Sequence, residues 1–338
     1  DLSDADADGA KRQASPDPSL ETIAAWFHTA ARAAPGANIQ LSGGEPTVRD
    51  DLPAIVSLGR EAGFGFIQLN TNGLRIARDP AYLNDLARAG LASVFLQFDG
   101  VDDGVYKRLR GRPLLEIKLE AIEACEAAGI GVVLTPTLVP GVNTDHIGAI
   151  LDRAVALSPT VRAVHFQPVS YFGRVAISGE RDLRPRLTLP ELMRAIEGQT
   201  AGRFRAAHFR PPGCENARCS FHGRYLVMPE GRVAPLQPEK GEGCCGGAKE
   251  ATAPIPAAEG AARAMAYVRR QWAAPEGAVP MGTRKRDSKA LGSVPFPLEG
   301  CGANPSLEDF IARARTHTLS VSAMAFQDVW NVDLERVR

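Results

Sequence analysis

The chain has 338 residues, of which 44% are hydrophobic and 23% charged, as in an ordinary globular protein. Lys+Arg and Asp+Glu both total 39, so no net charge favours nucleic acid or an anionic membrane surface as a partner. No apolar run approaches the roughly 20 residues of a membrane-spanning helix, and there is no signal-peptide pattern. We therefore expect a cytoplasmic protein without a transmembrane segment.

Hydrophobic periodicity predicts a series of alternating strands and helices. Residues 1–18 are acidic and lack periodicity, which predicts a disordered loop, and a helix begins at Ser19, where Leu20, Ile23 and Phe27 share one face. Apolar segments at intervals of about 30 residues then alternate with helical patterns, which predicts a parallel sheet with helical crossovers. The predicted strands are residues 38–41, 66–69, 94–98, 131–135 and 164–167.

The regular alternation ends near residue 175, where we expect a domain boundary. Residues 19–175 would form the barrel-like domain, and residues 176–338 a cysteine-rich appendage of helices and loops. Within the appendage, Thr188 and Glu191 have the spacing of a capping box. An Ala-rich helix is predicted at about 257–273, and a last helical region opens at Ser306.

Polar residues and glycines follow the predicted strands. Ligands of parallel α/β sheets bind beyond the C-terminal ends of the strands, so these positions are the candidate site. The candidates are Ser42, Gly43, Gly44, Glu45 and Pro46 after the first strand, Asn70 and Asn72 after the second, Gln97 and Asp99 after the third, and Gln167 in the fifth. Glycines let a ligand approach the backbone closely, and Glu45 suits a bound ammonium. A single Gly-Gly or Asn-Gly pair is explained by its frequency in ordinary turns, but turns do not explain why polar residues follow all five predicted strands.

Three of these motifs together resemble the radical S-adenosylmethionine (SAM) superfamily. They are Gly43-Gly44-Glu45-Pro46, Asn70-Thr71-Asn72-Gly73 and Gln97-Phe98-Asp99-Gly100, in that order and spacing. The resemblance extends from about residue 19 to residue 173. It implies an α/β fold, namely a partial (β/α)6 TIM-like barrel, and an enzyme that cleaves SAM reductively to a 5′-deoxyadenosyl radical, which abstracts a hydrogen atom from its substrate.

The resemblance also implies roles for individual residues. The segment around Gly43, Gly44 and Glu45 would hold the methionine amino group of SAM. The side chains after the second and third strands would face its ribose and methionine portions; they are Asn70, Asn72, Gln97 and Asp99. Arg110 would suit the methionine carboxylate, and the fifth strand around Gln167 would lie near the adenine.

One departure from the family pattern is large. The Cys-x3-Cys-x2-Cys motif that ligates the [4Fe–4S] cluster of the superfamily is absent from the sequence. In the family that motif follows the first of six strands, and only five strands are predicted here. We therefore expect a barrel that lacks its first strand and a chain truncated at that end. Such a chain would bind SAM weakly and would not cleave it.

The cysteines suggest a second site in the appendage. Five of the six lie after residue 210, and thiolates at that density ligate Fe–S clusters or Zn. The candidate ligands are Cys214, Cys219, His222, Cys244, Cys245 and Cys301. Cys125 stands alone on a helix and is predicted to be an inert buried thiol.

The appendage resembles the auxiliary-cluster segments of some radical SAM enzymes. Its Cys-Ser-Phe-His-Gly motif and its ending are similar to a branch related to archaeal tetraether-lipid synthases and radical SAM selenoproteins. That branch has further cysteines after the last helix, so we also expect truncation at the C-terminus, with selenocysteine an open question at either edge.

Two other functional classes stay open from the sequence. The first is a metal-independent TIM-barrel lyase with Glu45 or Asp99 as the general base, although no lysine stands at a predicted strand end to form a Schiff base. The second is a non-catalytic, Zn-bound scaffold with a degenerate barrel. For a radical SAM enzyme, the implied electron donor is a flavodoxin or ferredoxin, and the substrate is a small molecule, a lipid or a peptide.

Overall fold

The computed structural model describes residues 17–171, 185–211, 219–236, 256–275, 307–326 and 328. The strands in this part of the chain are β1 (Ile39–Leu41), β2 (Ile67–Thr71), β3 (Ser93–Gln97), β4 (Gly131–Thr135), β5 (Thr137–Leu138), β6 (Val161–Pro168), β7 (Ser220–Val227), β8 (Val233–Pro235) and β9 (Thr318–Met324). The helices are α1 (Leu20–Ala33), α2 (Leu52–Glu61), α3 (Leu74–Arg78), α4 (Pro80–Ala89), α5 (Asp103–Arg110), α6 (Leu115–Ala127), α7 (Ile147–Ala156), α8 (Leu189–Gln199), α9 (Ala257–Trp272) and α10 (Leu307–Thr316).

All five predicted strands are present, and they form a parallel sheet. The strand order is β1-β2-β3-β4-β6-β9-β7-β8, with β5 paired to β6. The pairs from β1 to β9 are parallel, whereas β7 pairs antiparallel with both β9 and β8. Because β7, β8 and β9 come after residue 175, the sheet continues across the predicted domain boundary. The missing first strand stays a prediction.

Helix starts follow the capping signals in the sequence. The Ser19 side chain accepts a hydrogen bond from the backbone N–H of Thr22, at 3.2 Å, and so caps α1. At α8 the predicted capping box is complete, because the backbone N–H of Thr188 donates to Glu191 and that of Glu191 donates to Thr188. Both local predictions are confirmed.

The main core lies between the outer face of the sheet and the helices. Alternate strand residues such as Leu96, Leu134 and Phe166 point outward and pack with helical residues such as Leu86 and Ile150, all of them fully buried. Each such side chain stabilises the fold by about 1.5–3 kcal/mol through removal of apolar surface from water. No helix within the described ranges has the length and apolar character needed to cross a bilayer.

Helix α9 packs against the face of the sheet opposite the main core. Trp272, the last residue of α9, packs on a small apolar cluster of Phe95, Val133 and Ala163. The backbone at Trp272 comes so close to β4 that a Cβ on Gly131 would lie 2.2 Å from the Trp272 carbonyl oxygen. Only glycine fits there, so the end of α9 packs directly on this face of the sheet, which we call the inner face.

The buried guanidinium of Arg162 ties α9 and α10 to β6. Its Nε donates to the carbonyl oxygen of Gln271 at 2.9 Å, and its other nitrogens donate to the Thr316 carbonyl oxygen and to Thr318 Oγ1. Gln271 returns a bond from its Nε2 to the Arg162 carbonyl oxygen at 3.1 Å. Hydrogen bonding to these oxygens replaces the water that the charged group loses on burial. Burial nevertheless lowers the pKa of Arg162 to about 10.

Candidate functional site

A polar pocket of about 310 Å³ opens at the C-terminal ends of β1, β2 and β3. Eight of the residues predicted from the sequence line it: Ser42, Gly43, Gly44, Glu45, Asn70, Asn72, Gln97 and Arg110. Four residues that were not predicted also line it: Thr71, Leu74, Arg112 and Leu114. A larger depression, of about 690 Å³, lies on α1 and Ala62 in the outer helical layer and includes no strand-end side chain. The strand-end pocket is therefore the candidate site.

Gly43 and Gly44 form an open cradle on one wall of this pocket. A Cβ built on either residue meets no atom of the described chain within 4 Å, and neither glycine has a positive φ. Neither backbone conformation nor packing in that part of the chain thus requires glycine at these positions. The space that a side chain would fill is open to a ligand that approaches the backbone.

Glu45 holds the ends of the first two strands together. Its Oε1 accepts hydrogen bonds from Thr71 Oγ1 and Thr47 Oγ1, both at 2.6 Å, and from the Thr47 N–H at 3.2 Å. Within the described residues, its Oε2 accepts only the Asn72 N–H, at 2.7 Å. A carboxylate has about four acceptor sites, two on each oxygen, so Oε2 keeps one site for a further donor.

Asp99 and Arg110 form an ion pair behind the pocket wall. Arg110 Nε donates to Asp99 Oδ2 at 2.8 Å, and Nη2 donates to Oδ1 at 3.2 Å. Asp99 is completely buried, and its Oδ1 also accepts the Thr137 N–H at 3.1 Å. Asn143 donates to the backbone carbonyl oxygen of Asp99 at 2.8 Å. The carboxylate therefore fixes the guanidinium of Arg110 at the edge of the pocket.

The side-chain amide of Gln97 lies between two basic groups. With its carbonyl oxygen turned toward Arg110, it accepts hydrogen bonds from Nη2 at 3.0 Å and from Nη1 at 3.2 Å. The other end of the amide is 3.5 Å from Lys118 Nζ. Two short bonds to a charged donor outweigh one long contact, so the oxygen faces Arg110 and the NH2 group faces Lys118.

Lys118 is a buried lysine on α6 beneath the pocket. Its Nζ donates to the backbone carbonyl oxygen of Asn72, and its side chain has no exposure to solvent. The pKa of Lys118 is lowered to about 8, chiefly by burial; Arg110 and Arg112 contribute to the decrease, whereas Asp99 and Glu45 oppose it. In its neutral form, the Lys118 amine can accept a hydrogen bond from the NH2 group of Gln97 while it still donates one to the Asn72 carbonyl oxygen.

The other predicted site residues lie outside the pocket lining. Pro46 opens the short 3₁₀ turn that follows Glu45. Asp99 is buried behind Arg110, and Gln167 pairs with Thr137 where β5 meets β6. Their contacts with a cofactor stay predictions.

The predicted metal ligands fall largely outside the described residues. Cys214, Cys244, Cys245 and Cys301 are not among those residues. Cys125 is fully buried, as predicted, and burial raises the pKa of its thiol to about 12. Cys219 lies just before β7, and His222 lies on β7 opposite Ser322. No group of three His, Cys, Asp or Glu side chains in the described ranges is arranged to hold a metal ion.

The sequence contained a signal for Lys118 that the prediction missed. The buried face of α6 consists of Lys118, Ala121, Ile122 and Cys125, so Lys118 stands three and four residues before apolar residues of the same face. A lysine within an apolar stripe marks a buried charge. Arg112 was missed as well, because it stands two residues after Arg110 in what looked like a turn.

Comparisons with known proteins find a family model and curated relatives that match part of this chain. Residues 6–154 match the family model described as the radical SAM superfamily. A 7,8-dihydro-6-hydroxymethylpterin dimethyltransferase of Methanocaldococcus jannaschii is 44% identical over 174 residues, which are 51% of this chain and 34% of that protein. A probable GTP 3′,8-cyclase of Aeropyrum pernix is 29% identical over 144 residues, which are 43% of this chain and 39% of that protein.

Among solved structures, a domain of a pyruvate-formate lyase-activating enzyme from Bacteroides vulgatus matches with a TM-score of 0.39 and 17% identity. The match covers 50% of this chain and 97% of that domain. The chain spans only about a third to two-fifths of the length of the two curated relatives named above.

Proposed function

We propose that the strand-end pocket binds SAM for radical chemistry, because residues 6–154 match the family model of the radical SAM superfamily. The observation that carries the proposal is the open cradle at Gly43 and Gly44, where a side chain would enter only empty space. A cofactor that must lie against the backbone explains two adjacent glycines that the described chain itself does not require.

The charges around the pocket suit the methionine end of SAM. Glu45 Oε2 has a free acceptor site for the ammonium, and the exposed guanidinium of Arg112 is a donor for the carboxylate. Asn70 and Gln97 add neutral donors and acceptors suited to the ribose hydroxyls. In this proposal Arg110 stays paired with Asp99 and contributes positive charge at the pocket edge.

Members of this superfamily use a [4Fe–4S] cluster together with SAM. The chemistry that such a cluster would supply is the one-electron reduction of SAM. The residues of the described ranges fit SAM but not the cluster, since no three ligands meet there. The protein's share of the work is thus to bind SAM, orient it and exclude water, and a flavodoxin or ferredoxin is the proposed electron donor.

For the substrate, we favour a nitrogen heterocycle of the pterin type. The relative from Methanocaldococcus jannaschii acts, by its name, on a 6-hydroxymethylpterin, and it shares 44% identity over half of this chain. The auxiliary-cluster branch stays a proposal, because its candidate cysteines lie almost entirely outside the described residues. The zinc scaffold and the metal-independent lyase are not favoured by any feature of the described chain.

Thermal stability provides a direct test of SAM binding. A ligand that binds only the folded state raises the melting temperature as its concentration increases. We expect SAM to raise the melting temperature of this chain, and Arg112→Ala to reduce the shift without lowering the melting temperature of the free protein, since Arg112 is exposed. If SAM raised the melting temperature of the variant as much as that of the wild type, Arg112 would not contribute to SAM binding. No shift in the wild type at millimolar SAM would contradict the proposal.

A further inference from the structure

Lys118 connects the two pocket walls that are formed by the ends of β2 and β3. Its Nζ donates to the backbone carbonyl oxygen of Asn72 and lies 3.5 Å from the side-chain amide of Gln97. Asn72 and Gln97 both line the pocket, whereas Lys118 is fully buried behind them. Any effect of this lysine on a bound ligand must therefore pass through one of these two neighbours.

The two neighbours differ in how strongly other groups fix them. The Asn72 peptide is held on its other side as well, because its N–H donates to Glu45 Oε2 at 2.7 Å. The Asn72 side-chain oxygen accepts the Leu74 N–H at 2.9 Å. Among the described residues, the Gln97 side chain has hydrogen-bonding contacts only with Arg110 and Lys118. The orientation of the Gln97 amide is thus the feature that Lys118 controls.

The donors and acceptors of Gln97 determine what it presents to the pocket. A side-chain amide has two acceptor sites on its oxygen and two N–H donors. Arg110 uses both acceptor sites, since its Nη2 and Nη1 lie 3.0 and 3.2 Å from the oxygen. One N–H then faces Lys118, and the second has no partner in the part of the chain that the structure describes. Because Gln97 lines the pocket, this second N–H is available to an oxygen atom of a ligand.

This arrangement needs a neutral amine at Lys118. A neutral amine has a lone pair that accepts the Gln97 N–H, while its own N–H bonds to Asn72. An ammonium has three donors and no acceptor, so it would compete with Arg110 for the amide oxygen. The amide can turn its oxygen toward only one of the two cations, and the other cation would then face an N–H group. Protonation of Lys118 therefore disturbs the donor that Gln97 offers to the pocket.

The surroundings of Lys118 bring the neutral amine within reach of ordinary pH. Four charged groups act on it from neighbouring elements: Asp99, Glu45, Arg110 and Arg112. Burial prevails over the two carboxylates and, with the two arginines, lowers the pKa of Lys118 to about 8. The charged side chains of α3 and α4, which pack against α6, are exposed or paired with each other, and they are Arg75, Arg78, Asp79, Asp85 and Arg88. On α6 itself, Glu116 and Glu120 are exposed.

Resting on the proposed function, we propose that Lys118 is a positioning residue for SAM, which acts through the Gln97 amide and keeps one N–H of that amide available to an oxygen atom of SAM. Lys118 itself does not touch the cofactor. Because it acts as a neutral amine, SAM binding is coupled to the loss of a proton from Lys118. The coupling is reciprocal, so bound SAM lowers the pKa of Lys118 further.

Calorimetric titration of SAM at several pH values tests this role. The neutral fraction of a lysine with a pKa of about 8 rises about tenfold from pH 7 to pH 9. Apparent affinity follows the fraction of the binding-competent form, so the affinity of the wild type relative to Lys118→Met should increase about tenfold. Taking this ratio removes the titration of the SAM amino group, which is common to both proteins. A ratio that stays constant would overturn the role of Lys118.

Gln97→Leu tests the route through the amide, because it leaves Lys118 in place. The affinity of Gln97→Leu relative to the double variant Gln97→Leu/Lys118→Met should stay constant from pH 7 to pH 9. A tenfold increase in this pair as well would mean that the Lys118 ammonium acts on SAM by direct repulsion, and the proposal would be wrong.

Lys107→Met is the matched control, because Lys107 is an exposed lysine on α5 that does not line the pocket. The SAM affinity of the wild type relative to this variant should not change with pH. A change as large as that of Lys118→Met would show that any nearby lysine has the effect, which would overturn the specific role of Lys118.

Proton release provides a second measurement that does not require Lys118→Met to fold. Calorimetry in two buffers of different ionisation enthalpy counts the protons exchanged on binding. At pH 8, SAM should release about half a proton more from the wild type than from Gln97→Leu, because half of the Lys118 amines are protonated at a pH equal to the pKa. Equal release would contradict the coupling.

The same titrations distinguish this inference from the proposed function. If SAM binds the wild type but neither the affinity ratio nor the proton release changes as expected, only the role of Lys118 is wrong and the SAM pocket stands. If SAM does not bind the wild type at any pH, the proposed function fails and the role of Lys118 fails with it.

Discussion

Asp99 and Arg110 form a two-bond ion pair in which the carboxylate is completely buried and the guanidinium side chain is 29% exposed. The pair joins the end of β3 to the end of α5, eleven residues along the chain. Since Asp99 lies behind Arg110, its carboxylate acts on a ligand only through the arginine that it holds. The pocket edge is thus fixed by a residue that does not line the pocket.

Asp99→Asn should destabilise the protein on the order of 3 kcal/mol, because it leaves a partly buried guanidinium without its carboxylate. Urea unfolding measures the change. Asp85→Asn is the control, since Asp85 is half exposed and pairs with Arg88 on the surface, where an ion pair contributes at most about 1 kcal/mol. An equal decrease in the free energy of unfolding of the two variants would show that the Asp99–Arg110 ion pair is no stronger than a surface ion pair.

Glu45→Gln should lower stability by about 1–3 kcal/mol and weaken SAM binding. Oε1 and Oε2 both accept hydrogen bonds from donors, and the NH2 group of glutamine would face one of those donors. Urea unfolding and calorimetry with SAM measure the two effects. Glu61→Gln, at an exposed position at the end of α2, should change neither. Unchanged stability of the Glu45 variant would contradict the observed network.

Lys118 should make stability depend on pH between about 8 and 10.5. Its pKa is about 8 in the folded state and 10.5 in the unfolded state, so the unfolded chain binds more protons in this window. Stability therefore rises with pH across it, by on the order of 3 kcal/mol for the full shift. This rise in stability with pH should be absent from Lys118→Met, because methionine has no titrating group.

Subtracting the free energy of unfolding of Lys118→Met from that of the wild type at each pH isolates this contribution, because the buried tyrosines titrate in both proteins. The difference should increase from pH 7.5 to pH 9.5. A difference that stays flat would mean that the Lys118 ammonium is solvated in the folded protein.

The sequence predicted the repeating part of the fold because local patterns determine it. The five predicted strands (β1, β2, β3, β4 and β6), the start of α1 and the capping box of α8 follow from hydrophobic period and capping residues. The strand-end position of the pocket follows from parallel topology, and eight of its lining residues were predicted. These features needed no information on long-range contacts.

The remaining features depend on contacts between distant segments. Strand β9 pairs with β6, in which the paired residues lie 157 positions earlier, and Trp272 packs against Phe95 on the inner face of the sheet. The burial of Asp99 requires Arg110 to fold back over it, whereas the sequence pattern predicts Asp99 and Gln97 together at the end of the third strand. Such relationships follow from packing, which single-sequence periodicity does not describe.

Calorimetric titration of SAM into wild type, Gly44→Val and Gly198→Ala tests the central claim most directly. A Cβ at Gly44 or at Gly198 meets no described atom within 4 Å, but only Gly44 faces the pocket. The account predicts saturable SAM binding to the wild type and to Gly198→Ala, and at least about a tenfold loss in a stably folded Gly44→Val, since one misplaced contact of about 1.4 kcal/mol has that effect. Equal affinity in all three proteins would contradict it.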